Sequence, residues 1–329
     1  MSDSASTRVG IVGAGLAGLT CARELKARFG VRLIEKARGV GGRIATRRGD
    51  GVVFNHGAQY FTASTAALCH AAQQWQADGV VTTWSGRYVH LRGGEAEPVI
   101  DDRVRYVALP GMNALPKHLA RGLDVRLGVT AVRVQREAGQ WQVIDSDGGV
   151  QGPFDVLVLT VPAPQAANLL GAADPFARVL GRVHLQPTWS LMVTTREGFD
   201  PGFDAARLPE SPLALIARTS VAAGEQPSRA WIAHASHAWS QQQLERSPEE
   251  VVAALRPLLA EAFGDDGAIE QLAAHRWRYA LCDQPVAAEC LWDGDRRLGL
   301  CGDWCVGPRV ESAYLSGLAM ASRIAACLG

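Results

Sequence analysis

Apolar and polar positions alternate along this chain in two different rhythms. Arg8–Val12 is a short run rich in β-branched residues and predicts a strand. Leu16, Leu19, Ala22, Leu25 and Phe29 then recur every three or four residues, which is one face of a helix, with Gly30 placed to cap it. Val31-Arg32-Leu33-Ile34 predicts a second strand that ends at Glu35. Residues 125–134 and 141–145 alternate as a hairpin turning at Glu137-Ala138-Gly139-Gln140. Phe154-Asp155-Val156-Leu157-Val158-Leu159-Thr160 reads as a buried strand stopped by Val161-Pro162-Ala163-Pro164. Near the end, residues 298–303 form another apolar run closing on Gly302-Asp303, and Val310-Glu311-Ser312-Ala313 opens a helix whose packed face is Ala313, Gly317, Met320, Ile324 and Leu328.

Between these stretches the rhythm changes. Leu213–Arg218, residues 230–234 and residues 275–279 read as strands, and Pro248–Phe263 has helical spacing. Trp189, Trp231, Trp239 and Trp277 concentrate in the same interval. The expected architecture is α/β: a discontinuous Rossmann-type domain from residues 1–61, 102–164 and 286–329, and a second α+β substrate domain from 62–101 and 165–285. An antiparallel or mixed sheet in the second domain would roof the site.

Composition narrows the reading. The chain has 329 residues, 47% hydrophobic and 20% charged, enough for two packed domains. Lysine plus arginine number 33 and aspartate plus glutamate 33, so no net charge marks a nucleic-acid or anionic-membrane partner. Seven cysteines (21, 69, 282, 290, 301, 305, 327) without a Cys-x-x-Cys pair suit a reduced compartment and read as small buried hydrophobes. His234 and His237 would point to opposite faces of an extended segment, which argues against zinc, and no metal site is expected. Residues 9–22 imitate a signal peptide, but Gly10, Gly13, Gly15 and Gly18 make a poor inserted helix and charges follow at once. No other apolar run approaches the ~18–20 residues of a membrane span. A soluble, cytoplasmic protein with no evident protein partner is expected.

The chemistry begins at Gly13-x-Gly15-x-x-Gly18, set between the first strand and the first helix. Gly13 permits the tight turn, Gly15 lets the backbone approach a pyrophosphate, and Gly18 lets helix and strand pack closely. Free N–H groups at the helix start face the phosphates. Glu35, 20 residues after Gly15, can accept hydrogen bonds from both hydroxyls of a ribose. Strand, glycines, periodic helix, second strand and acid together indicate a dinucleotide. Gly41-Gly42-Arg43 follows, bringing backbone and a guanidinium toward the phosphates.

Gly41-Gly42-Arg43 after the ribose acid, with Gly302-Asp303 ahead of the final helix, resembles the amine-oxidase-like FAD superfamily. Four further stretches are similar to bacterial renalases across nearly the whole chain: Phe54-Asn55-His56-Gly57-Ala58-Gln59-Tyr60-Phe61-Thr62, Pro110-Gly111-Met112-Asn113, His275-Arg276-Trp277-Arg278-Tyr279-Ala280 and Cys301-Gly302-Asp303-Trp304. Asn55 stands where such proteins often carry aspartate, and Pro308 and Ser312 replace glycines. The resemblance implies noncovalent FAD held by Gly13, Ala14, Gly15, Leu16 and Ala17, by Glu35 and Lys36, by Gly42 and Arg43, and by His56, Gly57, Ala58, Gln59 and Tyr60. Ala131 would meet the adenine, Pro162 would adjoin the cofactor, and Gly302, Asp303, Val310, Glu311 and Ala313 would complete the far side. Glu311 reads equally as a first-turn carboxylate favoured by the helix dipole.

The activity so implied is oxidation of 2- or 6-dihydro-NAD(P), with hydride passing to the flavin, dioxygen as acceptor and hydrogen peroxide released. Such a ring expels hydride by its own nitrogen lone pair, so no side-chain base is needed. Along 275–279, His275, Trp277 and Tyr279 share one face and Arg276 and Arg278 the other. The aromatic face is the candidate for ring contact, together with Tyr60 and Trp304, while His234 reads better as a core histidine. Arg309 stands where superfamily amine oxidases present an aromatic, and a guanidinium there repels an ammonium and suits phosphates or a carboxamide. An amine oxidase and a flavin binder without turnover are the alternatives.

Overall fold

A computed structural model describes residues 7–49, 51–219 and 228–329. Arg8–Val12 lies near the middle of a six-stranded sheet, which is why four of its five residues are buried. Gly30–Glu35 and Asp124–Leu127 extend the sheet on one side; Val156–Leu159, Leu298–Leu300 and Leu291–Asp293 extend it on the other. All neighbours pair in parallel except the last two. Strands covered on both faces need apolar residues at every position, and Val156–Leu159 is buried throughout. Helices Leu16–Leu25 and Val310–Leu328 pack with Val9, Ile11, Leu33 and Val158 on one face. The other face, with Val12, Ile34, Leu157 and Leu300, packs against helix Ala163–Leu170 and a three-stranded antiparallel sheet, Ala131–Glu137, Gln140–Asp145 and Val150–Phe154.

Two local expectations change. The first helix ends at Leu25 with Lys26 as its cap, and Gly30 opens the next strand, its N–H bonded to the Thr7 carbonyl at 3.0 Å. Asp124–Leu127 leaves the hairpin and joins the parallel sheet, because Gly30–Glu35 offers it an open edge and Arg32 pairs with Asp124 at 2.7 Å. The hairpin itself runs from Ala131–Glu137 to Gln140–Asp145.

The second large sheet has seven strands in the order Ile269–Gln284, His184–Thr195, Ala230–Ala235, Leu213–Arg218, Ala205–Arg207, Tyr88–Arg92 and Glu95–Pro98. It is mixed, since Ala205–Arg207 and Tyr88–Arg92 run parallel. Helix Pro248–Phe263, started by a Ser247–Glu250 capping box, lays Val251, Leu255, Leu259 and Phe263 against its outer face at Trp189, Leu191 and Trp231. Its inner face meets the first half of the molecule: Met192 and Ile232 pack on Phe54, and Tyr88, Ala205 and Ala217 pack with Tyr60 and Trp84. The stretch 62–101, expected to go as a whole to the substrate domain, divides. Helix Ala66–Ala77 sinks Leu68, Ala71, Ala72 and Trp75 into the core of the first half, whereas Tyr88–Arg92 and Glu95–Pro98 join the seven-stranded sheet. Among the described residues no helix is long and apolar enough to cross a membrane.

Candidate functional site

The glycines at the first turn differ in what demands them. A Cβ on Gly18 would stand 2.2 Å from the Gly13 carbonyl oxygen, so packing alone forbids a side chain there. A Cβ on Gly15 would meet nothing within 4 Å. Open space lies in front of Gly15, at the start of Leu16–Leu25, where backbone N–H groups favour an anion. Gly41 folds back over this turn, its N–H bonded to the Ala14 carbonyl at 2.9 Å, and sets Gly42 beside Gly15. Glu35 is buried, with one oxygen accepting from the Ala14 N–H and the other from the Ala37 N–H, both at 2.8 Å. Each oxygen keeps a lone pair, so the carboxylate is fixed and still able to accept from a ribose. Leu16 and Ala17 are buried beside the turn, Lys36 is exposed, and Ala131 and Pro162 open the next strand and helix on this side. This cradle and acid fit the adenosine diphosphate portion of FAD.

The far side is fixed by residues from the other end of the chain. Arg43 forks onto Asp303 at 2.7 and 2.5 Å and also donates to the Ala280 carbonyl. The expectation of Arg43 directed at phosphate is thus modified: its strongest partner is the buried carboxylate of Asp303. The Gly302 N–H is held by the Ser316 hydroxyl at 3.0 Å. Ala58 donates its N–H to the Arg43 carbonyl at 2.9 Å, tying residues 43 and 57–58 together.

Two candidates are corrected. Trp304 is only 1% exposed and its indole N–H is bonded to the Val161 carbonyl, so it is a core residue and has no surface to offer a substrate ring. The Glu311 carboxylate does not face the cradle from its own helix start. It accepts from the N–H and hydroxyl groups of both Ser64 and Thr65, at 2.6–2.9 Å, where helix Ala66–Ala77 begins. Burial pushes its pKa up, but these hydrogen bonds outweigh burial and hold it down at about 2. Val310 and Ala313 are half-buried in the first helical turn, and Arg309 precedes them with its side chain exposed, 3.6 Å from Glu311.

Opposite the cradle, the seven-stranded sheet contributes a wall. Trp277 stacks on His56 with ring centroids 5.1 Å apart and donates its indole N–H to the His56 carbonyl at 2.8 Å. His275 meets both rings edge-on. His234 bonds the Gln59 amide at 2.9 Å and lies 3.2 Å from the His56 carbonyl. His234 is therefore part of this junction and not an isolated core histidine. Arg276 and Arg278 turn the other way, onto Glu245. Burial, with His275 nearby, pushes His56 down to about 4; burial pushes His234 down to about 4. His275 is lowered by burial and by Arg47. All three imidazoles are neutral near pH 7. Tyr60 stacks on Trp84 at 5.7 Å, and Tyr279 is half-buried further along the Trp277 strand.

Sequence reasoning missed Tyr88, Arg207 and Ser190 on this wall. Their strands pair so that Arg207, Leu215, His234, Ser190 and His275 form one row across the sheet. Alternation places each on a face, but only the strand order aligns them. The buried thiols of Cys21, Cys282, Cys301 and Cys305 are free and pushed up by burial, which leaves them inert.

Known families match two consecutive stretches of the chain. Residues 11–93 match the NAD(P)-binding Rossmann-like domain, and residues 99–325 match the flavin containing amine oxidoreductase family. Renalase from Mus musculus is 28% identical over 177 residues, an alignment spanning 50% of each chain, so about half of that relative's length is matched. Among solved structures, a provisionally assigned protoporphyrinogen oxidase from Exiguobacterium sp. 255-15 superposes with a TM-score of 0.78 at 14% identity, covering 97% of this chain and 99% of the other. A triple mutant of putrescine oxidase redesigned for cofactor binding gives a TM-score of 0.72 at 13% identity with the same coverage. Both share the fold. Cradle, ribose acid and family agree on FAD as the cofactor.

Proposed function

Because the chain belongs to the flavin containing amine oxidoreductase family, we propose that its site oxidises isomeric dihydronicotinamides, 2- or 6-dihydro-NAD(P), with dioxygen as acceptor. The ring loses a hydride, two electrons and one proton, to give NAD(P)+; dioxygen takes up those electrons, that proton and a second proton from solvent to give hydrogen peroxide. FAD supplies the hydride acceptor at its N5. Glu35, the clear space at Gly15 and the Arg43–Asp303 pair hold that cofactor, and Trp277, His56 and Tyr60 orient the substrate ring and exclude water.

One observation carries the choice of substrate. Among the described residues the carboxylates near the wall have partners: Asp303 has Arg43, Asp101 has Arg105, and the ionised Glu311 has Ser64 and Thr65 with Arg309 at 3.6 Å. The three histidines beside the site are neutral. Among the described residues a protonated amine therefore meets no carboxylate without a partner, and the aromatic residues with their neutral imidazoles suit a flat, electron-rich ring that needs no base. Arg309, exposed at the entrance to Val310–Leu328, favours a phosphate or carboxamide over an ammonium. The role fits repair of damaged cofactor in the cytoplasm.

The test is an anaerobic titration of the yellow protein. The dihydronicotinamide isomers bleach the flavin and air restores it, while putrescine, benzylamine and ordinary NADH leave the colour. Bleaching by the amines at matching rates would establish the amine-oxidase reading instead, and bleaching by none would leave a passive flavin binder. Trp277→Ala and Tyr279→Ala should slow reduction while bound FAD stays normal.

A further inference from the structure

Arg207 stands out among the arginines of the wall. It ends the short strand Ala205–Arg207, and its Nε donates to the buried Tyr88 hydroxyl at 2.7 Å. Among the described residues no carboxylate lies within ion-pair distance of it, and its other neighbour is the Tyr60 hydroxyl. Its neighbours are otherwise: Arg105 forks onto Asp101, Arg87 bridges Asp200 and Asp204, and Arg218 lies against Asp204. The exposed guanidinium is thus aimed by phenols and carries no carboxylate, which leaves its charge and N–H groups for a phosphate.

Its position in the fold gives the fork an object. Arg207 shares a cross-strand row with Leu215 and His234, two strands away, or about 10 Å at ordinary strand spacing. His234 bonds Gln59, in the segment that leads to Tyr60, and the Tyr60 hydroxyl lies beside Tyr88 and Arg207. Arg207 also borders an open groove of about 710 Å³ together with His90, Glu210, Trp239 and Gln242.

Resting on the dihydronicotinamide reading above, we propose that Arg207, aimed by Tyr88, is the subsite for the sugar phosphate of the substrate, and that it makes the enzyme prefer nucleotides to the phosphate-free nucleoside. A ring held near Tyr60 and His234 places its ribose along the row toward Arg207. The groove beyond accommodates the second half of a dinucleotide.

The experiment compares the riboside, mononucleotide and dinucleotide forms of one dihydronicotinamide isomer in anaerobic flavin reduction. The wild type, Arg207→Gln, Arg207→Lys and Tyr88→Phe are each checked first for bound FAD. The wild type should half-saturate at roughly 10- to 100-fold lower concentration with the phosphorylated forms than with the riboside. Arg207→Gln should collapse that ratio toward one, and Arg207→Lys should restore part of it. A wild type that does not distinguish the three forms, or an Arg207→Gln protein that keeps the ratio, overturns the subsite. If none of the three bleaches the wild type, the dihydronicotinamide reading fails. The subsite is then decided by titrating ribose 5-phosphate against ribose and following flavin absorbance and tryptophan fluorescence. Phosphate-dependent binding that Arg207→Gln abolishes supports it, and equal or absent binding overturns it.

Discussion

The cradle and the wall face each other across the site and are built by opposite rules. In the cradle the side chains already have protein partners: Glu35 has two backbone N–H groups and Asp303 has Arg43, while the Gly302 N–H has Ser316 and the N–H groups that open Leu16–Leu25 are kept for an anion. On the wall, the buried His56 Nδ1 and Ser190 Oγ have no hydrogen-bond partner, and Arg207 has phenols beside it but no carboxylate. A group that must be held in place for a permanent cofactor is best fixed before it arrives. A group that must receive and release a substrate keeps its bonding capacity in reserve, as the exposed Arg207 guanidinium does, whereas His56 Nδ1 and Ser190 Oγ are closed off and each cost about 1–3 kcal/mol. The difference separates a part of the molecule that is finished on folding from a part that is completed by its ligand.

The sharpest way to break this contrast lies within the cradle itself. Gly18→Val should abolish folding, since the new side chain meets backbone that cannot give way. Gly15→Val, facing open space, should leave the melting temperature of the cofactor-free protein near that of wild type while bound flavin, read by absorbance, falls more than about tenfold. Equal loss of fold in both would deny that the Gly15 space belongs to a ligand. Asp303→Asn comes next: it strips Arg43 of its counter-charge and should cost about 2 kcal/mol in urea unfolding. That is below the figure for a fully buried pair because the Arg43 side chain is 32% exposed.

On the wall, pH is the lever. His56 and His234 titrate near 4 when folded against 6.5 ordinarily, so between those values the unfolded chain holds more protons. Stability should therefore fall as pH drops from about 6.5 and level off below about 4, and His234→Gln should flatten that slope in thermal melts taken across the window. An unchanged slope would show that His234 is already charged. The smallest effect belongs to the outer face, where Glu245→Ala removes the shared partner of Arg276 and Arg278. Exposed pairs contribute little, so flavin reduction should be unaltered within the scatter of the assay.

Much of the cradle was legible because its instructions are local. The glycine spacing, the helix from Leu16, the acid at Glu35 and the helix at Val310 each declare themselves within about 20 residues. What the sequence concealed were partners set by long-range packing. Nothing near Glu311 announces that it will cap a helix beginning 245 residues earlier, although Ser64-Thr65 before an alanine-rich run is a readable helix start. Trp304 looked like a pocket residue because it adjoins Asp303, yet its indole turns inward to Val161. Arg207 lies in a three-residue strand too short to show a period, so its alignment with His234 emerges only from strand order.

The Arg43–Asp303 pair joins positions 260 residues apart. On a translating ribosome, at ~5–20 residues per second, the glycine turn emerges about 15–60 s before the residues that lock its opposite side. Through that interval the early half carries a formed acid and an open cradle without a far wall. The two-sided enclosure of a flavin therefore waits until residue 303 has emerged.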